Sequence, residues 1–191
     1  MSKSGWKEHV EDLHRLLSGL CCTSRAGRRL DAEDAFRRWQ KLTLDLRARR
    51  KTIYLVGNGA SASMASHMSA DLAKNGHVHT QVFSDLSLIT AISNDMGYEH
   101  VFSEPLSRRA SAGDLLVAIS SSGRSPNVLA AVKVARRLKL TVVTLSGMGD
   151  RNPLRKSGDL NFYVPAGTYG YAESCHAAVL HHWMDLVESR S

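Results

Sequence analysis

The sequence predicts an α/β fold: a parallel five-stranded sheet flanked by helices, preceded by two further helices. Three observations carry this. From Thr52 onward short apolar runs alternate with helical stretches, the first and third such runs end in glycine- or serine-rich turns, and no internal repeat or long linker interrupts the order. At 191 residues with 43% apolar content, the chain is long enough for one domain with a sizeable core and too short for two full ones.

The elements follow in order. Residues 6–20 place Trp6, Val10, Leu13, Leu17 and Leu20 at helical spacing, and residues 32–49 do the same with Phe36, Trp39, Leu42, Leu44 and Leu46. Between them "CCTSRAGRR" reads as a polar break. Two amphipathic helices ahead of the first strand need a surface to cover, either the sheet or another subunit, so residues 1–51 read as a helical segment for oligomer packing and residues 52–191 as the α/β domain. The strands are "TIYLV", "TQVF", "DLLVAIS", "TVVTLS" and "LNFYV". The helices between and after them cover 60–74, "SLITAISND", "YEHVFSEPLSRRA", 126–138 and about 172–189.

Composition narrows the setting. Three cysteines, two of them adjacent, argue against a disulfide framework and for a reducing cytosol, and neither a signal peptide nor a membrane span is apparent, so a cytoplasmic protein is expected. The net charge of +7 is concentrated at the start: residues 1–51 carry 13 Lys/Arg against 7 Asp/Glu. Acids interrupt those basic residues and no recognition motif appears, which disfavours nucleic-acid binding.

Ligands of such folds sit beyond the carboxyl ends of the strands. There "VGNGASAS" turns from strand to helix, with Asn58, Gly59 and Ser61 able to offer amides and hydroxyls at a helix N-terminus. "AISSSGRSPN" repeats the arrangement with Ser120, Ser121, Ser122 and Ser125, and Pro126 suits the first turn of the next helix. Neither loop contains a lysine. Hydroxyls and amides alone suit a single phosphate monoester better than a triphosphate, and "GNGASA" lacks the third glycine of a dinucleotide loop, so no nucleotide cofactor is expected.

The stretches "GNGASASMASH", "AISND" and "ISSSGRSPN" resemble the sugar isomerase (SIS) family, and in particular its phosphoheptose isomerase branch. The resemblance implies an SIS-type sheet over residues 52–191, a homotetramer in the family's manner, and interconversion of sedoheptulose 7-phosphate and a heptose 7-phosphate in heptose biosynthesis. It also implies roles for residues. Asp71 takes the place of a catalytic glutamate, His67 that of its companion histidine four residues earlier, and His181 that of the catalytic acid/base histidine. Asn94 and Asp95 match a loop that reaches substrate hydroxyls.

Glu173 has two alignments: counted from the last helix it replaces a metal-binding glutamine, and counted from "GYA" it replaces an aspartate facing substrate. On the first count His67, Asp71, Glu173 and His181 form a set acceptable to zinc. His176 matches a further family histidine, while His182 reads as a packing or surface group. The aspartate at 71 withdraws the carboxylate by about 1.5 Å relative to glutamate.

Aldose–ketose isomerisation needs a base for a C–H beside a carbonyl and an acid for the oxygen, which a carboxylate and a histidine supply. His67 and Asp71, at i and i+4, share a helix face and are expected near the bound phosphate ester. The alternative is a non-catalytic, sugar-phosphate-binding SIS protein, such as a factor associating with a replication initiator. A binder has no need of both Asp71 and His181.

Overall fold

The computed structural model describes residues 5–189. Helix α1 (Trp6–Ser18) leads into a short hairpin, β1 (Cys21–Ser24) and β2 (Arg29–Leu30), and then α2 (Ala32–Ala48). Next come β3 (Thr52–Val56), α3 (Ala60–Lys74), β4 (His79–Val82), α4 (Leu86–Met96) and, after a 3-10 turn at Tyr98–His100, α5 (Ser103–Arg109). The chain continues through β5 (Leu115–Ser120), α6 (Pro126–Arg137), β6 (Thr141–Ser146), β7 (Leu160–Tyr163) and α7 (Tyr169–Glu188). No described helix is long and apolar enough to cross a membrane.

The sheet has seven strands in the order β2-β1-β7-β6-β5-β3-β4. The five strands after residue 51 are parallel, as the sequence predicts. The stretch read as a polar break is the correction: β1 pairs antiparallel with both β2 and β7 and extends the sheet. Cys22 is the reason, being buried on the sheet face opposite Phe162, while Gly27 with φ +76° makes the hairpin turn. The segment before residue 52 is therefore built into the sheet.

Side chains alternate across each strand, so Ile53 and Leu55 enter one core while Tyr54 and Val56 enter the other. The first core lies under α2, α3 and α7. Trp39 stacks on Trp183 at 4.0 Å between ring centroids, and the Trp183 indole N–H donates to Thr43 Oγ1 at 3.0 Å. Phe36 and Trp39, expected partly between subunits, are instead buried within the chain against Phe162 and α7. Helix α1 differs, because Leu16 packs inward while Trp6, Val10 and Leu17 remain exposed.

Strand β3 lies between β4, to which the chain runs first, and β5, to which it then returns. That reversal opens a crevice between the carboxyl ends of β3 and β5. Both serine-containing loops meet there.

Candidate active site

The first loop, Gly57-Asn58-Gly59, joins β3 to α3. A Cβ on Gly57 would stand 2.6 Å from that of Ser61, and Gly59 adopts φ +55°, ψ −125°, so the turn excludes side chains at both positions. Ser61, Ala62 and Ser63 spend their amides on Asn58 and Gly59 carbonyls. The amides of Asn58 and Gly59 donate to no acceptor among the described residues, which leaves them for a ligand.

The second loop follows β5. Gly123 has φ +63°, and any Cβ there would fall 2.0 Å from Oδ1 of the buried Asn152, so this turn requires glycine too. The hydroxyls of Ser120 and Ser125 meet at 3.0 Å across the turn, and Ser122 Oγ accepts from the Arg124 amide at 3.2 Å. Ser125 begins α6 without capping it through its side chain. The amides of Ser121 and Ser122 again have no acceptor among the described residues.

The two loops are tied together. Asn58 and Asn127 exchange hydrogen bonds, each Nδ2 donating to the other's Oδ1 at 2.9 Å, and the Tyr98 hydroxyl donates to Asn58 Oδ1 at 3.1 Å. Beside this junction is a cavity of about 180 Å³ lined by Asn58, Ser61, the serines at 120, 121, 122 and 125, Tyr169 and Glu173. It has the donors for a phosphate ester and no lysine; Arg124 is exposed and does not line it. Behind the Gly57–Gly59 turn a second cavity of about 130 Å³ lies under Ile89, Tyr98 and Phe102. Its walls are mainly apolar and include no acid or imidazole.

The expected acid–base residues form a separate cluster. His67 Nε2 lies 3.3 Å from Asp71 Oδ2, and the His67 and His181 rings are 5.4 Å apart, so α3 and α7 bring the three together. His67 is 58% exposed and Asp71 23%. Their position departs from expectation. Asp71 follows Ser61 by ten residues of one helix, about 15 Å along its axis, and is not beside the phosphate loop.

Glu173 lines the serine cavity, which fits its reading as a residue facing substrate. His181 is eight residues further along α7, about 12 Å from it. Within the one chain the zinc set does not converge: among the described residues no three His, Cys, Asp or Glu side chains come together as a metal site. His67 and Asp71 are instead directed at one another.

Asn94 and Asp95 sit exposed at the end of α4, where Asn94 Nδ2 donates to Asp95 Oδ1 at 2.8 Å, and neither lines the serine cavity. His176 is fully buried. Its ring nitrogens make no well-formed hydrogen bond, and burial lowers its pKa to about 4 although the nearby Ser146 main chain opposes the shift. His182 is exposed, with its ring edge-on to Phe36 at 4.6 Å. Sequence reasoning missed Tyr98, Asn127 and Tyr169. A tyrosine just after "SNDMG" and an asparagine just after "SP" were the available signals.

Comparison with known proteins identifies the family. The SIS domain family matches residues 28–147. A phosphoheptose isomerase of Chlorobaculum parvum is 38% identical over 146 residues, covering 72% of this chain and 69% of its own length. Another, from Helicobacter pylori, is 29% identical over 192 residues, covering 97% and 93%. Among solved structures, phosphoheptose isomerase from Neisseria gonorrhoeae superposes with a TM-score of 0.81 at 29% identity, over 95% of this chain and 96% of that one. The chain belongs to the SIS domain family, in its phosphoheptose isomerase branch.

Proposed function

We propose that the protein is a phosphoheptose isomerase, an aldose–ketose isomerase interconverting sedoheptulose 7-phosphate and a heptose 7-phosphate. The observation that carries this is the joint presence of a lysine-free serine cleft and a His67–Asp71–His181 cluster on helices leading away from it. A sugar-phosphate binder would need only the cleft.

The chemistry follows from the groups available. The ester phosphate sits against the free loop amides and the hydroxyls of Ser61, Ser121 and Ser122. Asp71 removes a proton from C1 of the ketose while His181 gives one to the C2 carbonyl oxygen, leaving an enediol. His181 then takes the O1 proton as Asp71 returns its own to C2, so the atoms balance without a redox partner. His67 orients the Asp71 carboxylate. Within one chain Glu173 and His181 are eight residues apart along α7, so the four ligands expected for zinc do not meet there, and no step is assigned to a metal.

The reach of the substrate bears on assembly. A seven-carbon sugar phosphate extends on the order of 10 Å, less than the axial distance of about 15 Å from Ser61 to Asp71 on α3. One molecule therefore joins the cleft of one subunit to the acid–base cluster of another, in a homo-oligomer that we take to be a tetramer. The exposed stripe of Trp6, Val10 and Leu17 on α1 offers apolar surface for such packing. Incubation with sedoheptulose 7-phosphate should produce the aldose. Lack of turnover on any C5 to C7 ketose phosphate, with binding retained, would leave the binding-protein reading.

A further inference from the structure

We infer that Asn127 is a positioning residue for phosphate recognition, locking the two anion-binding loops at a fixed separation through its paired amide contact with Asn58. The inference rests on the assignment of those loops to the substrate phosphate.

Three observations carry it. The parallel ladder between β3 and β5 ends at Val56 and Ala118, so beyond it the two loops have no further strand pairing to hold them together. The first tie past that point is the Asn58–Asn127 exchange, two bonds of 2.9 Å in opposite directions. Asn127 is 2% exposed, and its Oδ1 also accepts from the Val128 amide at 2.9 Å, so the side chain is held from both its helix and the opposing loop.

The residue type matters at this place. Only a primary amide both donates to and accepts from another primary amide in one planar pair. Aspartate would set a carboxylate oxygen against Asn58 Oδ1 and put negative charge behind the anion site. Glutamine would overreach by about one carbon–carbon bond, 1.5 Å. Tyr98 completes the arrangement from the 3-10 turn after α4. With Asn58 fixed, the Asn58 and Gly59 amides hold their place relative to those of Ser121 and Ser122, and a single phosphate meets donors from both sides. Asn127 does not itself line the cavity, so it acts through Asn58.

The test compares wild type with Asn127→Ala, Asn58→Ala, the double variant and Tyr98→Phe. Inorganic phosphate binding is read by calorimetry, sedoheptulose 7-phosphate kinetics by aldose formation and folding by thermal melts. Asn127→Ala is expected to weaken phosphate binding and raise KM about tenfold with kcat changed less than threefold. The double variant should be no worse than Asn58→Ala alone, because the two act as one unit. Tyr98→Phe should cost about twofold. Asn127→Ser, which retains a hydroxyl for the Val128 amide, replaces the alanine variant if that one does not fold.

Unchanged KM and phosphate affinity in a folded Asn127 variant would overturn the inference, as would additive losses in the double variant, while wild-type turnover would still support the isomerase. Weakened phosphate binding in a protein without turnover would do the reverse, keeping the positioning role and removing the activity. A wild type that binds no phosphate overturns both.

Discussion

At its N-terminal end α3 meets a cleft in which Asn58 is held by two neighbours and glycines fill positions that admit no side chain. Two to three turns later the same helix presents His67 and Asp71 to solvent beside His181. The cleft forms within one chain. The cluster lies at the surface, with His67 58% and Asp71 23% exposed, and such a His–Asp contact is worth at most about 1 kcal/mol and lacks the water-excluded setting that makes acid–base groups effective. On the function proposed above, folding builds recognition and a second subunit covers the surface that carries the chemistry.

The largest expected effect breaks the cluster and spares the cleft. Asp71→Asn should lower turnover about a thousandfold and abolish solvent deuterium uptake into substrate, since an amide cannot accept the carbon proton. Phosphate affinity should not change. Wild-type exchange rates in this variant would remove Asp71 as the base and reduce the cluster to a surface contact between side chains.

The buried side of α7 supplies the next effect. The unfolded chain protonates His176 near its ordinary value of 6.5, whereas burial holds the folded pKa at about 4. Between these values the unfolded state binds more protons, so stability is fully present above pH 6.5 and falls as pH drops toward 4, by up to about 3 kcal/mol. Urea melts from pH 7.5 to 4.5 should show that slope, and His176→Leu should flatten it. An identical slope in the variant would place the acid sensitivity elsewhere.

Smaller still is the loss of one donor from the cleft. Ser61→Ala or Ser122→Ala should raise KM roughly ten- to a hundredfold, as each removes a charge-assisted hydrogen bond of about 1.5 to 3 kcal/mol. Melting temperature should move little. If both variants keep the wild-type KM, the phosphate lies elsewhere in the crevice.

What the sequence made legible divides along the same line. Helix α3 runs over the predicted residues 60–74, and the two serine loops could be read because Gly, Ser and Pro act locally to turn strand into helix. The hairpin at Cys21–Leu30 was hidden because only Cys22 of its first strand faces the core, too little for an alternating pattern. Asn127 was hidden for a different reason: its partner is 69 residues away, and no local rule reports a contact of that range. Spacing also placed Asp71 on the correct face of α3 as regards His67 while saying nothing about distance from the phosphate. An i, i+4 pattern gives direction around a helix; how far along it a group sits must be counted in residues.

The last prediction asks whether the cleft and the cluster that serve one substrate belong to different subunits. Ser122→Asp places a carboxylate in the anion loop and should block binding, and Asp71→Asn removes the base, so each homo-oligomer should be inactive. In oligomers formed from an equal mixture, a site joining the cleft of one chain to the cluster of its neighbour has an intact cleft half the time and an intact base half the time. Activity should then recover to about a quarter of wild type per site. If both ends of α3 served the same subunit, every site would keep one defect and none would recover. Mixed oligomers that form, as judged by tagged-subunit capture, yet remain inactive would overturn the two-subunit reading, as would a wild type that sediments as a monomer while turning over. Recovery near a quarter would mean that the distance of about 15 Å along α3 is bridged by assembly and not by movement within one chain.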